Sequence, residues 1–279
     1  MRNAQQAGIG RLFHYQRFDA CHLEDTLERN RIHVSNIKNV NDPWDCRPYF
    51  EVDVSDPSQR QRWADRLRPL VEDEDNVDLQ QKIARLQRPW DQDERFLELT
   101  IVSLMKHNHA NNIERWRMYC LTPDPASILM WSHYAKQHTG ICLEFDTDQN
   151  LFGRAQKVTY GQCLPVITAD LFADQEVLTE TILLTKSDKW SYEDEYRLLP
   201  RDGKLDPTFS VTCYDDFLSL PPHALSAVIV GPNCADEHIG VVEHLIAKHA
   251  PHVMLKRAAC VPHEYAISIA TPVSATARH

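Results

Sequence analysis

Apolar positions along this chain change their spacing several times, and each change marks an element. Leu12-Phe13-His14-Tyr15 is a short apolar-aromatic run of strand character. Leu23 and Leu27 follow at helical spacing among Glu24, Asp25 and Glu28. Asn30 is placed to stop that helix, and Arg31-Ile32-His33-Val34-Ser35 alternates as a second strand should. Turn formers dominate Asn39 to Asp45, where Pro43 keeps Asp42 out of helical backbone. From about residue 56 to 117 the pattern turns helical: Trp63, Leu67, Leu70, Leu79, Ile83 and Leu86 recur among many charges, and residues 96–105 form a more apolar third helix. Pro89-Trp90 and the acidic stretch 72–75 read as loops within it.

Strand character returns at residues 116–121. Asp124-Pro125 then supplies an N-cap and a first-turn proline for a helix over 126–137, stopped before Gly140. Residues 141–145 read as a buried strand and 156–160 as another. A helix is expected over 171–185, strands over 209–214 and 224–230, and a helix over 235–249. Residues 253–258 are expected to close the sheet, with frayed residues at the C-terminus. No internal repeat occurs. The pattern predicts a single α+β domain over 1–279, its mostly antiparallel mixed β core interrupted by a helical insertion over 56–117.

Composition narrows the function classes. Only 8 glycines are present, with neither G-x-G-x-x-G nor G-x-x-x-x-G-K-[ST], so dinucleotide and phosphate loops of those types have no footing. A formal charge of −10 disfavours a surface given over to nucleic-acid backbone, although a local basic groove is compatible with it. The polar start Arg2-Asn3-Ala4-Gln5-Gln6 does not read as a signal peptide, and no stretch of about 18 apolar residues suits a membrane span. The 8 cysteines are scattered without a C-x-x-C pair, which reads as reduced thiols in a cytoplasm.

Chemistry concentrates in Lys186-Ser-Asp-Lys-Trp190-Ser-Tyr192-Glu193-Asp-Glu195-Tyr196-Arg197. If a strand starts here, its two-residue period puts Glu193, Glu195 and Arg197 on one face. Carboxylates that close raise at least one pKa unless a cation lies between them, and Arg197 and Lys186 are the candidates. The plain alternative is a salt-bridged strand end. Trp131-Ser-His133-Tyr134 on the 126–137 helix is a second cluster, and His14-Tyr15 at a strand end a third; each is also compatible with core packing. Asp42 and Asp45, with His133 or Glu144, offer hard ligands to a divalent metal, but no diagnostic metal spacing exists and no metal site is assigned.

Together these stretches resemble a bacterial family known as domain of unknown function 2971. The resemblance rests on Leu12-Phe-His14-Tyr15, residues 31–35 leading into Asn41-Asp42-Pro43-Trp44-Asp45, Tyr119-Cys-Leu-Thr122, Met130-Trp131-Ser-His133-Tyr134-Ala135, residues 140–146, Val158-Thr-Tyr160 with Pro165, and Lys186-x3-Trp190-x2-Glu193-x-Glu195-x-Arg197. More distantly, the order His14, Tyr134, Glu193-Asp-Glu195 is similar to the ADP-ribosyltransferase fold, in particular to DNA-modifying toxins of that fold. Where those carry a Ser-Thr-Ser element, this chain has Cys120-Leu-Thr122.

That likeness implies an NAD-consuming transferase. Glu195 would bind the ribose hydroxyl and steady an oxocarbenium-like centre, and Glu193 would orient or deprotonate the acceptor. His14 would donate to the adjacent ribose hydroxyl, with Tyr15 beside it. Trp131 or Tyr134 would stack on nicotinamide, and Arg197 would hold the pyrophosphate. The acceptor would be a macromolecule, nucleic acid or protein, as for a toxin or anti-phage effector. Two other readings stay open: a non-catalytic module that senses a ligand or partner, and a metal-dependent hydrolase or nuclease built on Asp42, Asp45 and His133.

Overall fold

The computed structural model describes residues 2–73, 75–148, 151–168, 175–204 and 211–270. Residues 171–174 of the expected helix, 209–210 of the expected strand, Glu74 and the C-terminal residues 271–279 lie outside these. The chain divides into two compact units. One comprises Met1–Asp45, Glu114–Gln162 and Leu184–His279; the other comprises Cys46–Ile113 and Cys163–Leu183.

The larger unit is α+β, with sheets rich in antiparallel pairs. Its five-stranded sheet runs in the order Arg11–Gln16, Ile141–Asp146, Leu225–Val230, Met254–Cys260, Ile267–Ala270. Within this sheet, among the described residues, only Leu225–Val230 and Met254–Cys260 pair in parallel, and the helix Asp236–His249 makes the crossover between them. Ile267–Ala270, rather than the expected strand over 253–258, therefore forms the outer edge of the sheet. A four-stranded sheet runs Ser35–Asn36, Arg117–Leu121, Tyr196–Leu198, Gln156–Lys157. The two sheets are joined where Phe13 and Thr122 exchange backbone bonds of 2.8 and 2.9 Å. That junction sets His14 beside Cys120.

Period-2 geometry sorts the first strand. Phe13 and Tyr15 enter one apolar cluster with Trp131, Ala135, Cys142, Ile229 and Ala258. Leu12 enters the larger core with Leu143, Phe145, Phe152, Val228 and Val242. The first helix, Ala20–Arg29, starts where the Asp19 carboxylate accepts from the His22 N–H at 3.1 Å, and ends at Asn30 in left-handed backbone (φ 49°), as the sequence suggests.

Further expectations are corrected, among them the strand over 156–160, which splits into Gln156–Lys157 and Thr159–Gly161 in different sheets. The helix over 126–137 is only Ile128–His133, capped by Ser127; Asp124 instead accepts from the Ala126 N–H at 2.8 Å in a turn. It stops early because Lys136, Gln137 and His138 all take left-handed backbone, at φ 46°, 55° and 68°. The strand over 31–35 splits into Arg31–His33, paired with Phe217–Ser219, and Ser35–Asn36, paired with Arg117–Leu121. Residues 188–193 are not a strand but a 3₁₀ helix, Asp188–Glu193, followed by left-handed Asp194 (φ 47°) and the short strand Tyr196–Leu198.

The smaller unit holds the helices Pro57–Val71, Val77–Ile83 and Glu94–Ile113 expected near residues 56–117. With them are the helix Gln175–Leu183 and a parallel pair, Tyr49–Phe50 with Val166–Ile167. Trp63, Leu67, Phe96, Leu97, Ile101 and Met105 are among its buried apolar residues. Among the described residues, no helix is long and apolar enough to cross a membrane.

Gly140 marks a close approach in the larger unit. A Cβ there would lie 2.4 Å from the Gln16 carbonyl oxygen and 2.9 Å from the Ala135 backbone, neither of which can rotate away. Gly140→Ala is therefore expected to lower stability by about 1–3 kcal/mol, read as an earlier chemical-denaturation midpoint at unchanged slope.

Candidate active site

Five charged side chains from three separate segments meet in the interior of the larger unit. They are Asp45 at the end of the turn-rich loop, Lys186 on the strand Thr185–Ser187, and Glu193, Glu195 and Arg197 around the strand Tyr196–Leu198. The side chain of each is 5% exposed or less. Buried charge is tolerated only when paired, and the pairing here is dense. The Lys186 ammonium donates to Glu193 at 2.5 Å and to Glu195 at 3.0 Å, and lies 3.9 Å from Asp45. The Arg197 guanidinium forks onto Asp45 at 3.0 and 2.5 Å and also onto Glu195 at 2.8 and 3.1 Å.

The two glutamates diverge as a result. Burial opposes ionisation of Glu195, but Arg197 and Lys186 outweigh it and hold its carboxyl down at about 2. Burial dominates at Glu193: Lys186 works against it and Glu195 with it, so this carboxyl is raised above its ordinary value. The Tyr134 hydroxyl donates to Glu193 at 2.5 Å. Burial and the Glu193 anion push that phenol up in turn.

A cleft opens over this cluster. Its inner recess, about 80 Å³, is walled by His14, Tyr15, Cys120, Tyr134, Glu193 and Glu195, among others. An outer chamber of about 600 Å³ shares His14, Val40, Asn41, Cys120 and Tyr134 with the recess and adds His22, His33, Tyr119 and Phe217. The combined size is in the range of small-molecule sites. A series of rings adjoins Tyr134: His133 at 6.4 Å, Tyr192 at 6.2 Å from His133, and Trp190 at 6.1 Å from Tyr192.

His14 stacks on Tyr119 at 4.0 Å between ring centroids, and its Nδ1 lies 2.7 Å from the Cys120 carbonyl oxygen. A carbonyl only accepts, so Nδ1 carries the proton. Burial pulls the imidazole pKa down to about 4 against the help of that bond. At neutral pH Nε2 is thus an acceptor. The donor role expected of His14 is replaced by that of an acceptor for a ligand hydroxyl or N–H.

Residues 130–198 match the model of a family described as Protein of unknown function (DUF2971). That stretch carries Tyr134, Lys186, Glu193, Glu195 and Arg197, while His14, Asp45 and Cys120 lie outside it. So do the resembling residues 12–15 and 31–45. No curated protein and no solved structure matches the chain.

Of the side chains singled out in the sequence, His14, Tyr15, Tyr134, Glu193 and Glu195 share the recess wall. Tyr15 contributes its ring, since its hydroxyl donates to the Asp124 carbonyl at 2.8 Å. Trp131 is fully buried, edge-on to Tyr15 at 5.0 Å, with its indole N–H on the Pro125 carbonyl at 2.9 Å. It lies in the core and does not line the cleft. Arg197 is 1% exposed and held by two carboxylates, so it is not placed to meet a pyrophosphate.

The metal-ligand candidates have other partners. Asp45 pairs with Arg197, Asp42 accepts from the Trp44 N–H at 2.9 Å, and Glu144 pairs with Lys256 at 2.5 Å and Arg11 at 3.5 Å. Among the described residues, no three His, Cys, Asp or Glu side chains are grouped to hold a metal.

Three participants escaped the sequence reading: Asp45 as the partner of Arg197, Asn41 against Tyr134, and Cys120, whose thiol bonds the Glu195 carboxylate. Enclosure by the cleft walls and that carboxylate push the thiol well up. The signal for Asn41 and Cys120 was their place in the resembling stretches Asn41 to Asp45 and Tyr119 to Thr122, which assigns them no partner.

Two stability effects are expected. Arg197→Met leaves Asp45 and Glu195 buried without their main cation and should cost about 3–5 kcal/mol in denaturant unfolding at neutral pH. The depressed Glu195 pKa contributes stability that is complete above the unfolded carboxyl value of about 4.5 and is lost as pH falls toward 2. Glu195→Gln should lack this acid limb, which a melting series from pH 6 to 2 would read.

Proposed function

We propose that the cleft cleaves the nicotinamide–ribose bond of NAD and passes ADP-ribose to a macromolecular acceptor, a nucleic acid or a protein. The observation that carries the reading is convergence. An imidazole from the first strand, a phenol from a helix beside residue 130, and two carboxyls from around residue 195 share one small recess.

The division between the carboxyls supports the reading, because acid–base roles go to titratable pairs whose surroundings push them apart. As the C1′–N bond breaks, its electron pair goes to the nicotinamide ring, which leaves neutral, and positive charge develops on the ribose. Glu195, ionised throughout the physiological range, faces that charge. The acceptor nucleophile then bonds to C1′, and its proton passes to Glu193, which is poised closer to neutrality. His14 Nε2 accepts from a ribose hydroxyl, and the Tyr134 and Tyr15 rings wall the heterocycle.

A second reading has its own observation: every Glu195 oxygen is bonded by Arg197 or Lys186, as in a purely structural framework around a binding module. The two readings part on one substitution. Protein incubated with labelled NAD and cell lysate is expected to release nicotinamide and to label material sensitive to either nuclease or protease. Glu195→Gln should lower this by about a hundred-fold or more, with melting at neutral pH shifted far less than in Arg197→Met. No transfer and no NAD loss in the unmodified protein, or full activity in Glu195→Gln, would overturn the transferase reading.

A further inference from the structure

Lys186 occupies a position that the transferase reading leaves without a role. Its strand, Thr185–Ser187, pairs in parallel with Thr159–Gly161 and runs directly into the 3₁₀ helix Asp188–Glu193. The ammonium is buried, and two of its donors are directed to different carboxyl groups, Glu193 at 2.5 Å and Glu195 at 3.0 Å. Trp190 covers it from above at 5.2 Å. Asp45, Arg197, Cys120, Tyr134, Tyr160 and Tyr192 are further charged and titratable groups around it among the described residues.

We propose that Lys186 is the positioning residue of the site: by bonding both glutamates at once it holds them in one wall and assigns them different work. This rests on the proposed function for its catalytic meaning, but the device itself is a property of the free protein.

The argument is one of unequal substitution. Glu195 has a second cation, because Arg197 bonds both its oxygens. Glu193 is bonded by Lys186 and Tyr134, of which only the ammonium carries charge. Removing Lys186 therefore leaves Glu195 close to its present state and strips Glu193 of its cation, while the repulsion from Glu195 persists. Glu193 would hold its proton to higher pH, and so would be a poorer acceptor of one from a nucleophile. Its side chain, freed of one anchor, would be held by Tyr134 alone. An arginine at 186 keeps the charge but not the compact, three-way donor geometry, so it should preserve the titration while losing part of the alignment.

The test is a carboxyl titration of protein with ¹³C-labelled glutamate side chains, the Glu193 resonance being identified by its absence in Glu193→Gln. Lys186→Met is expected to move the Glu193 midpoint up by about one pH unit or more, within the usual influence of a neighbouring charge, and to leave Glu195 titrating at low pH. Lys186→Arg should titrate like the unmodified protein. A Glu193 midpoint unchanged in Lys186→Met overturns the proposal.

Should Lys186→Met melt too low to titrate, Lys186→Met/Glu193→Gln decides. Removing one charge of each sign is expected to restore much of the lost stability, and a double variant no more stable than the single one overturns the proposal. Turnover separates this inference from the reading beneath it. If NAD is consumed, the acidic limb of the pH–rate profile should move upward with the Glu193 midpoint in Lys186→Met. If NAD is not consumed by any variant while the midpoint still moves, the transferase reading fails and the role of Lys186 in the wall stands.

Discussion

The structure depends on how a set of charges is kept out of water. Asp45, Glu193, Glu195, Lys186 and Arg197 are three anions and two cations in a space where unpaired charge costs several kcal/mol each. The deficit of one cation falls unevenly. Arg197 forks between Asp45 and Glu195, Lys186 bridges Glu195 and Glu193, and the remaining imbalance rests on Glu193 with the Tyr134 phenol as its neutral support. Much of the site follows from this arithmetic. The loop that ends at Asp45 is fastened by its last residue, and that loop brings Val40 and Asn41 to the cleft. The glutamates differ because their cations differ, and the Cys120 thiol lies next to the more strongly held of the two.

Much of this was legible in the chain, though unequally. The density of ionisable and aromatic residues over 186–197 is visible to anyone counting side-chain types, and it does mark the cluster. Its geometry was read through the wrong element. Alternation of Glu193, Glu195 and Arg197 suggested a strand, whereas a 3₁₀ turn and a left-handed Asp194 deliver Glu193 to its place. The residues still meet because Lys186 draws both carboxyls to one point. Arg197 was misread for a different reason. Its partner Asp45 lies 152 positions away, and nothing local distinguishes a guanidinium meant for a phosphate from one committed to a buried carboxylate.

Helix phase explains Trp131 and Tyr134. Both are aromatic, three positions apart, and only the tertiary environment determines which turns inward. Here the helix is a mere six residues and breaks into left-handed backbone after it, so one ring is sealed in the core and the other reaches the cleft. The state of His14 was beyond sequence altogether. Whether an imidazole donates or accepts depends on the carbonyl at Nδ1, and that carbonyl belongs to a strand in another sheet. The elements themselves were more accessible: strongly periodic segments such as Asp236–His249 and Leu225–Val230 emerged where apolar spacing placed them.

The bond between Arg197 and Asp45 also has a temporal side. Closing a loop of that length is entropically slow, and the contact yields little until both ends are already caged. The recess is therefore complete only once segments 152 positions apart have been brought together. A chain caught halfway would hold its glutamates in water, ionised alike and indistinguishable, so whatever chemistry the cleft performs is withheld until folding is complete.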